Sequence, residues 1–176
     1  AGGANNDSVS ELSEVGELLD NLVAIKKLGG EVKRGNLFPD SPIMITMDKD
    51  TSDADLQLMK DMTGELGYLQ LGNCSKVTDA GLKHLQNLRG LRALYLGGTK
   101  LTDAGMAYLK GLTQLEVLGL TSTDISNRGL SHLEGMTTLR MLDLRGTLVT
   151  NEGMKSLQRL TDLKYLDLRG STVTYD

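Results

Sequence analysis

Leucines recur at fixed intervals from residue 66 onward and form the most regular pattern in the chain. Five segments share the form L-x-x-L-x-L: LGYLQL at 66–71, LRALYL at 91–96, LEVLGL at 115–120, LRMLDL at 139–144 and LKYLDL at 163–168. Their first leucines lie 24 residues apart, except that the GNCSK loop lengthens the first interval to 25. Such short segments of alternating apolar positions are typical of half-buried strands, so we predict five equivalent strands.

A second recurring phrase, TDAGLKHL at 78–85 and TDAGMAYL at 102–109, predicts the start of a helix after each strand. Short side chains with an oxygen occupy the N-cap position of each copy: Thr78, Thr102, Ser126 and Thr150. Asp79, Asp103 and Glu152 fall in the first turn, where negative charge suits the helix dipole, whereas Arg128 breaks this charge pattern. Glycine is unfavourable inside a helix by about 1 kcal/mol, so we expect a close approach between neighbouring units at four positions: Gly81, Gly105, Gly129 and Gly153.

A unit of twenty-odd residues with an L-x-x-L-x-L strand and a helix is the signature of a leucine-rich repeat. We therefore predict an α/β solenoid, right-handed, with parallel strands on its concave face and helices on its convex face. The solenoid is expected at 43–176 as one degenerate repeat, four full repeats and a final half repeat. Residues 1–42 are expected to form a flexible lead-in, an N-terminal capping helix and a loop.

A column of short donors stands three residues beyond the last leucine of each strand segment: Cys74, Thr99, Thr123, Thr147 and Ser171. In leucine-rich repeats such a column points inward and satisfies loop carbonyl groups. We therefore interpret Cys74 as a buried structural residue. The alternative is a reactive thiol, although no neighbouring pattern would lower its pKa.

The N-terminal segment looks like a cap for the first repeat. Ser8 and Glu11 suggest a capping box, and Gly29 with Gly30 would end the helix. The helix has an apolar stripe that would cover the core of the first repeat: Val9, Leu12, Val15, Leu18, Leu22, Ile25 and Leu28. EVKR at 31–34 is a candidate strand, and we expect the loop that carries Phe38 to be pinned against the protein.

The repeats TDAGLKHL and TDAGMAYL, preceded by AIKKLGGEVKR, resemble those of a large group of bacterial, often exported, leucine-rich-repeat proteins. Their spacing is also similar to that of the cysteine-containing repeats of F-box substrate receptors, but no F-box precedes them here. The resemblance covers roughly residues 24–176 and implies a scaffold rather than one activity. The chain begins at Ala1 instead of Met, which indicates removal of an upstream piece, either a signal peptide or residues outside the chosen boundaries. Localisation stays open, with export favoured.

Composition narrows the possible ligands. The formal charge is −4, with both signs dispersed and no basic cluster, so nucleic acid is not expected as a partner. The longest apolar runs are far shorter than the roughly 20 residues that span a bilayer, so we expect no transmembrane segment. With the single Cys74, neither an internal disulfide nor a multi-cysteine metal site is expected.

Candidate chemistry is sparse. His84 and His132 occupy the same repeat position two units apart, without further ligands beside them, so we interpret them as helix surface residues. DKDTSDAD at 48–55 is acidic enough to suggest calcium, but it lacks the glycine and glutamate of an EF-hand loop, and a solvated loop before a helix is the alternative. No catalytic motif is present, so we predict no enzyme, no cofactor and no metal.

The outward positions of the strands carry the functional hypothesis. Three columns face away from the core: Tyr68, Ala93, Val117, Met141 and Tyr165; then Gln70, Tyr95, Gly119, Asp143 and Asp167; then Gly72, Gly97, Thr121, Arg145 and Arg169. Tyrosine and arginine are frequent binding hot spots, and solenoids commonly bind on the concave side. The alternative is that tyrosine merely suits strands while the Asp and Arg columns neutralise each other. The predicted partner-binding residues are Tyr68, Tyr95, Val117, Met141, Asp143, Arg145, Tyr165, Asp167 and Arg169.

The sequence thus favours a non-catalytic protein-interaction scaffold that binds its partner on the concave strand face. The first alternative is a small-ligand or carbohydrate receptor, and the second is a structural module of a larger envelope protein. The strand at 163–168 would also expose an unpaired edge, for which our hypothesis is a homodimer that forms through it. The alternatives are that the native chain continues past Asp176 or that Tyr175 folds back over the end.

Overall fold

The computed structural model describes residues 5–34 and 43–174, with side chains from residue 13 onward. A long helix, α1 (Asn5–Lys27), precedes seven strands: β1 (Glu31–Arg34), β2 (Ile43–Thr46), β3 (Leu66–Gln70), β4 (Ala93–Tyr95), β5 (Val117–Gly119), β6 (Met141–Asp143) and β7 (Tyr165–Asp167). The convex side carries three one-turn helices: α2 (Asp79–Leu82), α3 (Asp103–Met106) and α4 (Asn127–Leu130). Four 3-10 segments complete it: Asp55–Met59, Ala107–Leu109, Ser131–Leu133 and Asn151–Leu157.

The strands form one sheet in sequence order, β1 to β7. β1 is antiparallel to β2, and every later pair is parallel. The register aligns equivalent repeat positions, so Tyr68, Ala93, Val117, Met141 and Tyr165 lie side by side across five strands. The structure thereby confirms the α/β leucine-rich-repeat solenoid that the leucine spacing predicted.

The leucines of the strand segments lie in one continuous core. Leu94, Leu118 and Leu142 are fully buried, as are the helix-side residues Leu85 and Leu109. Each repeat therefore contributes the same small set of apolar side chains, and neighbouring repeats share one hydrophobic interior.

The predicted helices exist but are short. Thr78, Thr102 and Ser126 cap them as expected, each accepting a hydrogen bond from the backbone N–H two residues later. Thr150 makes no such bond, and the segment after it is a 3-10 helix instead of an α-helix. A repeat of 24 residues with a strand and two turns leaves room for little more than one helical turn, followed by a tighter 3-10 turn.

Side chains directly after the N-caps link each repeat to the next. Asp79 accepts hydrogen bonds from the backbone N–H and the hydroxyl of Thr102, at 2.8 and 2.6 Å, and Asp103 does the same for Ser126 at 2.7 and 2.5 Å. Asn127 accepts a hydrogen bond from the backbone N–H of Thr150 through Oδ1 and donates one to the Thr150 hydroxyl through Nδ2. We call the whole series the cap ladder, and its members are Asp53, Asp79, Asp103, Asn127 and Asn151.

The cap ladder shows that the prediction for the first helical turn, which groups Glu152 with Asp79 and Asp103 and treats Arg128 as the exception, compares residues that are not structurally equivalent. The structural equivalents of Asp79 and Asp103 are Asn127 and Asn151, so Arg128 and Glu152 stand one position later and do not belong to the series. What the position requires is a short side chain with an acceptor oxygen that reaches the next repeat, because both Asp and Asn occupy it. Negative charge at the helix dipole is therefore secondary.

The recurring glycines are explained by the same ladder. At Gly105 an added Cβ would collide with the carboxylate of Asp79, and at Gly129 it would lie 2.5 Å from the carboxylate of Asp103. The expected close approach is thus confirmed, and its cause is the acceptor side chain of the preceding repeat. In the first repeat Asp55 stands where the later repeats have glycine, and its carboxylate caps Ser52 at 2.8 Å.

The predicted column of inward donors is also confirmed. Thr99, Thr123 and Thr147 are buried and donate to the carbonyl three residues earlier at 2.6–2.7 Å. Cys74 is fully buried, and its thiol lies 3.2 Å from the carbonyl oxygen of Asp48. Burial raises the pKa of the Cys74 thiol, which disfavours the thiolate that a reactive cysteine needs.

The N-terminal helix packs on the first repeat through only part of its predicted stripe. Ile25 is buried, and Leu18 and Leu22 pack against the core, but Val15 and Leu28 are exposed, which corrects their assignment to the covering face. Gly30 would meet the Ile25 side chain if it carried a Cβ, so the helix and strand β1 can approach closely only with glycine there.

The start of α1 also differs from the expected one. The helix begins at Asn5, before the Ser8 that the sequence suggested, and it ends at the predicted glycines. The side chains of Val9, Glu11 and Leu12 lie outside those that the structure describes, and so does the loop that carries Phe38. EVKR forms β1, as predicted.

We predict that the cap ladder is a main source of coupling between repeats. Asp103→Ala leaves the backbone N–H and hydroxyl of Ser126 without their acceptor, so urea unfolding should show a loss of about 1–3 kcal/mol. Asp103→Asn, which copies Asn127, should cost less. The control Asp124→Ala changes an exposed residue next to the ladder and should cost at most about 0.5 kcal/mol. Equal losses for Asp103→Ala and Asp124→Ala would contradict a structural role for the ladder.

Candidate functional site

The outward positions of the strands form the concave surface, defined here by the three columns that start at Met44, Thr46 and Asp48 and run to β7. The register places Met44 beside Tyr68 and Thr46 beside Gln70, so the first repeat extends columns that the sequence pattern began at β3. The alternation IMITM at 43–47 carries the signal for this extension, because its isoleucines are the buried positions.

Two tyrosines cover the central part of the concave surface. The rings of Tyr68 and Tyr95 are 5.4 Å apart between centroids and tilted by 47°. Tyr95 also lies over Gly119, where a Cβ would come within 2.8 Å of the ring, and Ala93 between the tyrosines is buried. Burial raises the pKa of both phenol groups. These rings are therefore packed into the surface and stiffen it.

The last two repeats carry two matched ion pairs. Asp143, the last residue of β6, and Arg145, two residues beyond it, form a bidentate pair, with Nε–Oδ1 and Nη2–Oδ2 distances of 2.9 and 2.6 Å. Asp167 and Arg169 repeat this arrangement at 2.9 and 2.5 Å. Tyr165 donates its hydroxyl to Asp167 at 3.1 Å, and Nε of Arg145 lies 3.6 Å from the same carboxylate. Each Asp of the second column is thus paired with the Arg of the third column in its own repeat.

The ion pairs shift the acidity of both carboxyl groups. Partial burial acts to raise the pKa of Asp143, but hydrogen bonds from Arg145 and Thr121 outweigh it and hold the pKa below the ordinary 3.8. Hydrogen bonding from Arg169 lowers the pKa of Asp167 strongly, against the opposing effect of burial. Both groups are therefore charged at neutral pH.

Large apolar groups are accessible at one end of the concave surface. Met141 and Tyr165 are neighbours in the first column, and their exposed fractions are 38% and 48%. Val117, Tyr68 and Tyr95 in the same surface are half-buried. The structure thus brings the nine predicted residues together on one face, but it leaves Met141, Tyr165 and the two arginines as its most accessible members.

The other candidate residues have structural surroundings. His84 and His132 are half-buried on the convex side. In the acidic stretch, Asp53 belongs to the cap ladder, Asp55 caps Ser52, and Asp50 pairs with Lys76 at 3.1 Å. Hydrogen bonding to Lys76 lowers the pKa of Asp50. Among the side chains of residues 13–34 and 43–174, no three from His, Cys, Asp or Glu come together as metal ligands would.

Two open cavities lie away from the concave surface. One, of about 700 Å³, lies between α1 and the loop at 61–65, with Leu18 and Met62 on its apolar side and Glu14 and Glu65 among its acidic residues. The other, of about 220 Å³, includes Arg92, Glu116 and Arg140 at the beginning of the strands. None of the residues that line either cavity belongs to the three concave columns. Among the helices that the structure describes, none is long and apolar enough to cross a bilayer.

Comparison with known proteins supports the repeat architecture. A family model described as a leucine-rich repeat matches residues 135–157. The chain is similar to a crystal structure of an internalin from Listeria monocytogenes, with 33% sequence identity and a TM-score of 0.60. The match covers 68% of this chain and 33% of the internalin chain. It is also similar to an internalin C2 from the same species, with 20% sequence identity and a TM-score of 0.53. That match covers 69% of this chain and 59% of the internalin C2 chain, and at this identity it shows similarity of fold alone. No curated protein matches the chain significantly.

These likenesses and the parallel sheet show that the chain has an α/β leucine-rich-repeat solenoid fold. The chain spans a third of the length of the first internalin and 59% of the second.

We predict that the paired carboxylates make stability fall in acid. Their folded-state pKa values lie below those of the unfolded chain, so the folded state binds fewer protons. Their contribution is fully present above about pH 4 and is lost as the pH falls through the lowered values. The urea midpoint of the native chain should exceed that of Asp143→Asn/Asp167→Asn at about pH 7, and the difference should shrink below about pH 4. Asp124→Asn serves as the control, and a difference that persisted unchanged at about pH 2.5 would contradict the assignment.

Proposed function

We propose that this protein is a non-catalytic interaction scaffold that binds a protein partner on its concave surface. The observation that carries the proposal is the exposed pair Met141 and Tyr165 on a face whose other tyrosines are packed down. Accessible apolar side chains beside rigid ion pairs favour binding, because the surface loses little conformational freedom when a partner covers it. The residues proposed to line the site are Tyr68, Tyr95, Val117, Met141, Asp143, Arg145, Tyr165, Asp167 and Arg169.

The alternatives have weaker support. A small-ligand or carbohydrate receptor normally encloses its ligand in a cavity, and the two cavities described above lie outside the concave columns. A purely structural module would not need two large apolar groups exposed side by side on a face whose other large apolar side chains are half-buried. The protein scaffold therefore remains the function that the concave surface supports best.

The likeness to internalins supports a bacterial protein that acts outside the cytoplasm. The T-D-A-G repeats, which resemble those of often exported bacterial proteins, agree with this placement. We propose export on these two grounds together.

We predict that the exposed anchors contribute most of the partner affinity. Met141→Ala and Tyr165→Ala should each weaken binding by about 2 kcal/mol, since truncated hot spots typically cost this much, while the fold stays intact. Tyr95→Ala should also cost stability, because the ring packs over Gly119 and against the ring of Tyr68. The affinity of a partner captured by the native chain would be measured by calorimetry for each variant.

Leu148→Ala is the matched control for this measurement. Leu148 is as exposed as Tyr165 but lies outside the three concave columns. If it reduced affinity as much as Tyr165→Ala does, while Met141→Ala had no effect, the partner site would have to lie elsewhere.

We also propose that a second copy of the chain pairs with the free edge of β7. The N–H groups of Leu144 and Gly146 donate to the carbonyls of Asp167 and Arg169, and no strand among the described residues offers carbonyls to the equivalent groups of β7. Leu166 is partly exposed at this edge. Isologous antiparallel pairing about Leu166 would satisfy these groups and cover that side chain.

The dimer is tested by light scattering at low micromolar concentration, where we expect twice the monomer mass. Leu166→Pro removes a strand N–H and should yield a monomer, because proline cannot donate to the edge. Circular dichroism controls for retention of the repeats. A monomer across the concentration range for the native chain would refute this pairing.

A further inference from the structure

The two ion pairs of the concave surface have no net charge, but their basic side chains are more exposed to solvent than their acidic ones. The side chain of Asp167 is 5% exposed and that of Arg169 is 74% exposed. For Asp143 and Arg145 the values are 19% and 44%. The carboxylates therefore lie beneath the guanidinium groups, and an approaching molecule meets the cationic half of each pair.

The guanidinium groups retain unused hydrogen-bond donors. In both arginines, Nε and Nη2 bind the Asp two residues earlier, while Nη1 has no partner among the described residues. β6 and β7 are paired neighbours, at the roughly 4.8 Å spacing of strands in a sheet, and the segments just after them stay adjacent, since the N–H of Gly146 donates to the carbonyl of Arg169. Each pair is held in place by two parallel hydrogen bonds, so these donors are preorganised.

Acceptors for these donors are most naturally carboxylates. Hydrogen bonding and Coulomb attraction from Asp143 raise the pKa of Arg145, so its guanidinium group stays charged. A charged guanidinium binds a carboxylate through parallel hydrogen bonds and opposite charge, which is stronger than its binding to a neutral acceptor. The same column offers Gly72, Gly97 and Thr121 on the preceding repeats, so positive charge is confined to the end of the surface where Met141 and Tyr165 are exposed.

We propose that the partner presents an acidic and apolar segment: a bulky apolar side chain for Met141 and Tyr165, and one or two Asp or Glu carboxylates for Arg145 and Arg169. This inference rests on the proposed binding function of the concave surface and adds the chemistry of the partner. It places an acid-binding site on a chain whose net charge is −4, so a basic partner drawn to the overall charge would bind elsewhere.

A library of random dodecapeptides displayed on phage tests this inference with the full chain as bait. Selected peptides should combine Asp or Glu with an aromatic or aliphatic residue a few positions away. Synthetic copies should bind Arg145→Gln/Arg169→Gln about tenfold or more weakly, because charge-assisted hydrogen bonds are lost. Their affinity for the native chain should fall as sodium chloride is raised.

Two further variants separate this result from misfolding and from general loss of charge. Arg145→Lys/Arg169→Lys keeps both charges and can keep both ion pairs, but it removes the planar fork, so it should also weaken binding while retaining the native circular dichroism spectrum. Arg128→Gln/Arg159→Gln removes two exposed arginines outside the concave columns and should leave binding unchanged.

The outcomes distinguish this inference from the function on which it rests. Peptides that lose affinity with Met141→Ala/Tyr165→Ala but not with either arginine double variant would overturn the acidic partner and leave the binding surface in place. Peptides insensitive to all of these changes would overturn both. A selection that returns basic sequences, or no acidic and apolar consensus, would also overturn the inference.

Discussion

The hydrogen bonds of the cap ladder are the constraint on which the rest of the structure depends. An Asp or Asn directly after one N-cap accepts from the N-cap of the following repeat, as Asp79 does from Thr102. This contact satisfies a backbone N–H at the helix start and fixes the distance between repeats. It also explains the glycine in the next helix, because any side chain there would displace the acceptor.

Fixed spacing between repeats has consequences on the opposite side of the solenoid. Because every parallel pair has the same register, outward side chains stand in straight columns, and their neighbours across strands decide how accessible they are. Tyr95 is half-buried because Gly119 on the next strand leaves room for its ring. Met141 and Tyr165 on the last two strands are, by contrast, 38% and 48% exposed.

Charge follows the same logic on the concave surface. Asp143 and Asp167 are covered by the arginines that follow two residues later, just beyond each strand, so each pair exposes mainly guanidinium. This region has equal numbers of acidic and basic residues, but its accessible surface consists mainly of guanidinium hydrogen-bond donors beside two apolar side chains. A binding face can therefore differ in character from the acidic chain that carries it.

The amino-acid sequence by itself determined the repeat period, the strand positions, the N-caps and the inward donor column that includes Cys74. These features repeat within each unit, so five copies of one local pattern are enough to recognise them. Only the tertiary structure identified the members of the cap ladder, since Asn127 and not Arg128 binds Thr150, a residue 23 positions later in the chain. It also decided the exposure of Val15 on α1 and the burial of Asp167, because accessibility depends on what the neighbouring element places beside a side chain, and no single repeat contains that information.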